Sequence, residues 1–111
     1  MNYVNMNPTE LVYLIGKNAV ENWELYKKSQ KTDTIFHLDK FSSAYVIINV
    51  EINKLTIEQI NTAANLCKSH SKYKNVPHIG VFYTSISNTK LGKEIGSFII
   101  ISNRKTKTIK V

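Results

Sequence analysis

A chain of 111 residues, 42% of them hydrophobic, has the length and composition of one globular domain with a single modest core, and it is too apolar for a disordered chain. No apolar run approaches the ~20 residues that span a bilayer, and residues 1–5 lack the basic-then-apolar pattern of a signal peptide. The single cysteine excludes an internal disulfide and a cysteine metal cluster. We therefore expect one cytoplasmic domain over residues 1–111, with residues 1–9 as a loose lead-in and without a metal or other cofactor.

The charge is positive and unevenly distributed. Fifteen Lys and Arg residues against eight Asp and Glu residues give a net charge of +7. After Gln59 the sequence contains nine Lys and Arg residues and, as its acidic residue, Glu94 alone. Such an excess favours a polyanionic partner, since each phosphate that is neutralised releases condensed counterions. A compositional bias toward Asn, Ile and Lys is the alternative explanation.

The first part of the chain predicts a strand, a turn and a helix. Residues 11–15 form a continuous apolar run that Gly16 ends. Asn18 stands three residues before Glu21, which is the spacing of a reciprocal helix cap, so a helix is predicted from there to about Ser29. The turn exposes backbone N–H groups beside Lys17, which is typical of a phosphate site or of an ordinary tight turn.

Residues 34–38 and 45–52 are predicted as two strands joined by a charged and hydroxyl-rich turn. His37 lies on the first strand, and Asp39 and Lys40 begin the turn. Three interpretations are open: a catalytic site, a phosphate-binding corner, or a structural turn. His37 and Asp39 would share one strand face, so a hydrogen bond between them is sterically possible. The sequence has no G-x-S-x-G, H-E-x-x-H or P-loop pattern, and we expect the protein not to be an enzyme.

A second helix is predicted over residues 57–70, because Thr56 and Gln59 have the spacing of a capping box. Cys67 is expected to be a buried small hydrophobe rather than a nucleophile. The apolar stripe of this helix is Ile57, Ile60, Ala63, Ala64 and Cys67. The segment of residues 68–74 then interleaves lysines with one tyrosine, which is typical either of a grip on single-stranded nucleic acid or of a solvated helix end.

The last third of the chain predicts three strands. Residues 79–84 form the first, residues 85–94 a polar loop, and residues 97–101 and 106–111 a hairpin with basic residues at its tip. The complete order is strand, helix, strand, strand, helix and three strands. It predicts an α+β fold with a mostly antiparallel sheet of about five to six strands and two helices packed on one face.

Several short motifs together resemble the NFACT-R domain, the RNA-binding module of ribosome quality-control factors and of bacterial fibronectin-binding-like proteins. The family pattern joins a Gly-Arg/Lys-Asn-Ala turn and a following Asn to an Asp-x-Trp-Phe-His strand, a second turn and strand, and a Tyr-Thr strand with a Lys/Asn loop. The resemblance covers about residues 10–111, and the turn at residues 39–44 is similar to that of the stand-alone eukaryotic branch, the coiled-coil-domain-containing proteins. The matching residues are Gly16, Lys17, Asn18, Ala19, Asn22, Asp33, Phe36, His37, Val46, Tyr83, Thr84, Asn88 and Lys90.

The sequence departs from the family pattern in three ways. Ile35 stands where the family has Trp, which removes a large ring, and Tyr45 stands where it has a second His, which argues against a paired-histidine function. The sequence ends at Val111 without the charged helical tail of the stand-alone branch. The peptide-tailing role of the quality-control factors is therefore not transferred to this chain.

The resemblance also implies which residues contact nucleic acid. Lys17 and the amides of residues 16–19 would meet phosphate, and His37 with Lys40 would add a second contact. The loop at residues 88–93 and the predicted hairpin tip would extend the basic face, whereas Tyr83 would either stack on a base or belong to the core. The implied contact residues are Lys17, Asn18, Asn22, His37, Lys40, Tyr83, Asn88, Lys90, Lys93, Arg104 and Lys105.

These features favour a non-catalytic RNA-binding factor of the translation machinery. Its expected partner is ribosomal RNA or a tRNA site on the ribosome, with docking on the large subunit, and neither a membrane nor a small-molecule substrate is expected. Inhibition or preservation of idle ribosomes and ribosome quality control are the conjectured roles. The alternative is a DNA-binding or protein-interaction adaptor that does not associate with ribosomes.

Overall fold

The computed structural model describes residues 2–7, 11–41 and 43–111, the first range by its backbone alone. These residues form eight strands and two α-helices, with short 3-10 turns at Ile52–Lys54, Ile86–Asn88 and Asn103–Lys105. Neither helix is long and apolar enough to cross a membrane. The strands and helices are β1 (Asn2–Asn7), β2 (Leu11–Ile15), α1 (Ala19–Lys28), β3 (Thr34–Leu38), β4 (Val46–Ile48), α2 (Ile57–Ser69), β5 (Gly80–Ser85), β6 (Thr89–Leu91), β7 (Phe98–Ile100) and β8 (Lys107–Lys110).

Six of these strands form one antiparallel sheet in the order β1-β2-β4-β3-β5-β8. The sheet centre is β3, where Phe36 lies opposite Val46 of β4 on one side and opposite Tyr83 of β5 on the other. Strands β6 and β7 pair with each other in a separate two-stranded sheet. The predicted α+β class with a mostly antiparallel sheet is confirmed.

The two helices cover opposite faces of the sheet, which corrects the prediction that both pack on one face. Side chains alternate along a strand, so neighbouring residues of β3 point to different sides. Phe36 packs in a cluster with Cys67 of α2, and Ile35 packs in a second cluster with Leu25 of α1. Both β3 residues are fully buried, and each therefore needs a helix above it.

The helix starts follow the predicted caps. At α2 the Gln59 N–H donates to Thr56 Oγ1 (3.1 Å) and the Thr56 N–H donates to Gln59 Oε1 (3.0 Å), which confirms the capping box. At α1 the Glu21 N–H donates to Asn18 Oδ1 (3.0 Å), as predicted. The Glu21 carboxylate, however, accepts from the Lys17 N–H (3.0 Å), so the reciprocal bond is displaced by one residue.

Residues 1–9, predicted as a loose lead-in, contain a strand instead, with residues 1, 8 and 9 outside the described range. Strand β1 pairs antiparallel with β2 along its length. Its asparagines have little intrinsic preference for a strand, which explains the error. Strand β4 pairs with one edge of β2, and β1 satisfies the backbone groups along the other edge.

The hairpin predicted for residues 97–101 and 106–111 does not form, because β7 pairs with β6 and β8 pairs with β5. The loop predicted for residues 85–94 therefore contains a 3-10 turn and β6. Buried Asn88 accounts for the difference. Its side-chain amide donates to the Ser102 carbonyl oxygen (2.8 Å) and accepts from the Ser102 N–H (3.0 Å), which fixes the chain between β7 and β8 against the end of β5.

One strand boundary and one assignment to the buried face of α2 also change. Strand β4 covers Val46–Ile48 rather than residues 45–52, since Val50 leaves the ladder and its carbonyl oxygen accepts a hydrogen bond from the Thr34 hydroxyl (2.8 Å). Ile57, which was assigned to the apolar stripe of α2, is 79% exposed. Cys67 is fully buried, as predicted, and burial raises the pKa of its thiol.

Gly16 closes the junction between β2, α1 and β4. A Cβ placed on residue 16 would lie 2.0 Å from Asn22 Oδ1, so a side chain here would displace Asn22. Asn22 is buried, and its Oδ1 accepts a hydrogen bond from the Tyr45 N–H (3.2 Å). The Gly16 N–H donates to the Tyr45 carbonyl oxygen (3.2 Å). The turn before α1 is thus bonded to the residue that precedes β4.

We predict that Gly16→Ala lowers the free energy of unfolding by about 2–4 kcal/mol, because the new methyl group overpacks the junction and breaks the bond between Asn22 and Tyr45. Urea unfolding measures the change. Gly80→Ala is the matched control, since a Cβ there would lie 3.4 Å from Asp39 Cβ, an ordinary contact, and this variant should lose less than about 1 kcal/mol. Equal losses in both variants would contradict this account of the junction.

Candidate nucleic-acid interface

A groove of about 1410 Å³ lies at the end of the sheet where β2 and β3 finish and β4 and β5 begin. Its walls are the β2–α1 turn, the β3–β4 turn, the segment after α2 and the β6–β7 turn. The lining residues that carry charge or a ring are Lys17, His37, Lys40, Phe41, His70, Lys72, Tyr73, Lys74, Phe82, Glu94 and Phe98.

The lining of the groove is cationic. Lys17, Lys40, Lys72 and Lys74 reach it from three segments that are distant in sequence, and all four are exposed. Among the described lining residues, Glu94 is the carboxylate that opposes them. Ammonium groups that remain in water lose little solvation when they meet phosphate oxygens. This wall of the groove is therefore suited to a polyanionic chain.

The backbone of Lys40 is in the left-handed region, with φ of 72°. For a residue with a Cβ this conformation costs roughly 1 kcal/mol or more, and such residues occur preferentially at binding sites. Two backbone N–H groups that precede Lys40 hold this turn in place by hydrogen bonds. The Asp39 N–H donates to the Gly80 carbonyl oxygen (2.8 Å), and the Leu38 N–H donates to Ser43 Oγ (3.1 Å).

The floor of the groove is aromatic. The His37 ring lies 5.7 Å from Phe82 and 5.8 Å from Phe98, the latter at 83° between the ring planes. His37 Nδ1 donates to the Leu38 carbonyl oxygen (2.8 Å), so this nitrogen is not oriented by Asp39 as a catalytic pair would require. Burial lowers the pKa of the imidazole, and the hydrogen bond to Leu38 opposes that shift.

His37 therefore lies in the groove as a neutral ring at pH 7. With Nδ1 carrying the proton, Nε2 is a hydrogen-bond acceptor. An acceptor can receive a hydrogen bond from a ribose hydroxyl or from the N–H of a base, whereas it repels phosphate oxygens. A neutral His37 is better suited to a ribose hydroxyl or a base N–H than to the phosphate that the resemblance implies, and its contact with RNA stays a prediction.

Two backbone amides of the β2–α1 turn are bonded within the protein. The Gly16 N–H donates to Tyr45 and the Lys17 N–H to the carboxylate of Glu21. Asn18 caps α1, and Asn22 is buried. These residues shape the groove wall from within, and the exposed Lys17 side chain is the cationic group of this turn in the groove.

Two other predicted contact residues are enclosed in the fold. Tyr83 is 7% exposed and stacks on Phe36, with ring centroids 4.8 Å apart, and Asn88 is 5% exposed and bonded to Ser102. Both side chains are buried and have partners within the fold, so they present little surface to RNA. The remaining predicted residues are exposed but lie outside the groove lining, namely Lys90, Lys93, Arg104 and Lys105. Arg104 and Lys105 precede β8 at the opposite end of the sheet.

The fold adds residues that the predicted contacts did not include. Lys72, Tyr73 and Lys74 belong to the segment with interleaved lysines and tyrosine, and α2 returns that segment to the groove end of the sheet. Phe41 is a second addition. Its signal in the sequence is an aromatic residue next to a lysine in an otherwise polar turn.

Comparison with known proteins identifies the family of this chain and agrees with the resemblance seen in the sequence. A family model described as "NFACT protein RNA binding domain" matches residues 1–101. Coiled-coil domain-containing protein 25 of Mus musculus and that of Bos taurus are each 31% identical over 91 residues, which cover 78% of this chain and 44% of the relative. The chain thus spans less than half the length of either protein.

A solved structure confirms the fold. The C-terminal part of the fibronectin/fibrinogen-binding protein from Streptococcus suis superposes with a TM-score of 0.82 at 24% identity. The match covers 98% of this chain and 43% of the other.

The lowered pKa of His37 predicts a pH-dependent stability. The unfolded histidine has a pKa near 6.5, so below that pH the unfolded chain binds the proton more readily than the native chain. The contribution of His37 to the free energy of unfolding should be constant above about pH 7 and fall as the pH drops through 6.5 toward the lower native pKa. Urea unfolding at pH 7.5 and 5.5 measures the difference.

His37→Phe should remove most of this dependence while keeping a ring in the aromatic floor. His78→Asn is the control, since His78 is exposed and its φ of 58° suits Asn, and it should keep the dependence of the native chain. If His37→Phe loses as much stability on acidification as the native chain, the assignment to His37 is wrong.

Proposed function

The chain belongs to the NFACT RNA-binding domain family, and we propose that it is a non-catalytic RNA-binding factor that associates with ribosomes through the groove at the end of its sheet. The RNA-binding role is that of the family. The observation that carries the proposal for this site is the convergence of Lys17, Lys40, Lys72 and Lys74 on one groove from three separate segments.

The groove is suited to holding RNA by its backbone. Lysines contact phosphates without reading sequence, so the recognition they provide depends on the path of the strand. Ribosomal RNA and bound tRNA present such strands in fixed shapes. The resemblance to the module of ribosome quality-control factors and the net charge of +7 support a ribosomal partner, with the large subunit as the docking place.

The groove is also suited to occupancy rather than to chemistry. His37 has Nδ1 bonded to a backbone oxygen, and Cys67 is fully buried with a raised thiol pKa. A domain that occupies a tRNA or ribosomal RNA site without turning over a substrate would inhibit ribosomes or preserve idle ones. We propose this as the physiological role.

Two charge-reversal variants with the same net charge test the groove. The groove variant replaces Lys17, Lys40, Lys72 and Lys74 with Glu. The control variant replaces four basic residues at the opposite end of the sheet and at the end of α1, namely Lys28, Lys31, Arg104 and Lys105, with Glu.

In sucrose gradients at low salt, the native chain and the control variant should sediment with large subunits, and the groove variant should stay at the top. Raising the salt should release the native chain.

Binding to isolated RNA gives a second measurement. The negative slope of log affinity against log salt should become less negative by about three in the groove variant, since four phosphate contacts are lost. Equal loss in both variants would contradict the groove as the site, and binding of duplex DNA without sedimentation on ribosomes would favour the DNA-binding adaptor.

A further inference from the structure

Phe41 and Tyr73 form an aromatic pair on the wall of the groove. Their ring centroids are 4.2 Å apart and their planes meet at 32°. Tyr73 packs against the core on the α2 side of the sheet, so its ring is supported from behind. Phe41 is 37% exposed, and both rings line the groove. One face of the Phe41 ring is therefore covered by Tyr73, and the side chain still presents surface to solvent.

Lysines flank both rings. Lys40 precedes Phe41, and Lys72 and Lys74 stand on either side of Tyr73, and all of these residues line the groove. Single-stranded nucleic acid is commonly held by this combination, in which ammonium groups follow the phosphates and bases stack on rings. A lysine-rich surface alone would be expected to attract any polyanion. The exposed ring adds a surface that suits the face of a base.

Residues on either side of Phe41 are hydrogen-bonded to the sheet. The turn that carries Phe41 is bonded to β5 through Asp39 and closed internally through Ser43 Oγ. Little conformational entropy should therefore be lost when a base stacks on the ring.

We propose that Phe41, backed by Tyr73, stacks an unpaired base of RNA, so that the groove selects single-stranded RNA over duplex RNA. The inference rests on the RNA-binding function proposed above and specifies the form of RNA that the groove takes. In an A-form duplex both faces of each internal base are covered by neighbouring bases, and the grooves display base edges and riboses. A duplex can therefore meet the lysines and offers no base face to Phe41.

The test compares two RNA probes of equal charge on variants of the full chain. One probe is a single-stranded oligouridylate with one central 2-aminopurine, whose fluorescence is quenched by stacking. The other is a blunt RNA duplex with the same number of phosphates. Phe41→Leu keeps an apolar side chain over Tyr73 and removes the ring, Phe41→Trp restores a ring, and Ile57→Ala, at a 79% exposed position outside the groove lining, is the control.

We expect Phe41→Leu to weaken binding of the single strand by about 5- to 100-fold and to leave duplex binding unchanged. The native chain and Phe41→Trp should quench the 2-aminopurine on binding, and Phe41→Leu should not. Ile57→Ala should behave as the native chain does. Urea unfolding of Phe41→Leu under the same conditions separates a loss of stacking from a loss of fold.

The inference is overturned if folded Phe41→Leu binds both probes as the native chain does, if it weakens both equally, or if the native chain leaves the 2-aminopurine unquenched. In those cases the native chain still binds RNA, and the proposed function stands. If the native chain binds neither probe at low salt, both the inference and the proposed function fail.

Discussion

The buried side-chain amide of Asn22 joins the parts of the molecule on which the groove depends. Its oxygen accepts the N–H of Tyr45, and it occupies the space that a side chain at Gly16 would fill. The hydroxyl of Tyr45 in turn donates to the carbonyl oxygen of Gly96 in the β6–β7 turn. Through these contacts the β2–α1 turn, the start of β4 and the β6–β7 turn hold one another in place.

Gly96 shows how closely the last of these segments approaches the first. Its φ is 87°, and a Cβ at this position would lie 2.5 Å from the Cβ of Ala19. Trp23 adds a hydrogen bond from its indole N–H to the carbonyl oxygen of Ser97 (2.8 Å). The β6–β7 turn is thereby held against the first turn of α1. Residues 16–19, which match the turn of the family pattern, form part of the groove wall.

The electrostatics of the groove follow from the same construction. The carboxylate of Glu21 already accepts the Lys17 N–H at the start of α1, where a phosphate would otherwise be favoured. The cationic groups that line the groove are exposed lysine side chains. Because those lysines remain in water, the binding they support is expected to be strongly dependent on salt.

The parts of the fold that depend on local chemistry could be predicted from the sequence, whereas the groove could not be assembled from it. The spacing of Thr56 and Gln59 located the start of α2, and the small apolar residues around Cys67 identified its buried face. The assignment of α1 and α2 to opposite faces depends on chain geometry that no residue pattern in this sequence specifies. The partners of β7 and β8 depend on a long-range bond between Asn88 and Ser102.

Charge and resemblance indicated Lys17 and Lys40 at the groove end of the sheet, and they equally indicated Arg104 and Lys105 at the other end. Proximity in three dimensions distinguishes the two groups. The fold brings the segment that contains Tyr73 back beside Lys40, whereas sequence separation conceals this contact.

The most direct test of the account is an amide NMR titration of the full chain with a short single-stranded RNA. We predict that the amides of residues 16–19, 38–44 and 70–74 shift together with one binding constant, while those of residues 28–31 and 102–107 remain in place. Shifts concentrated at residues 28–31 and 102–107, or spread evenly over every exposed lysine, would contradict the claim that RNA lies in the groove.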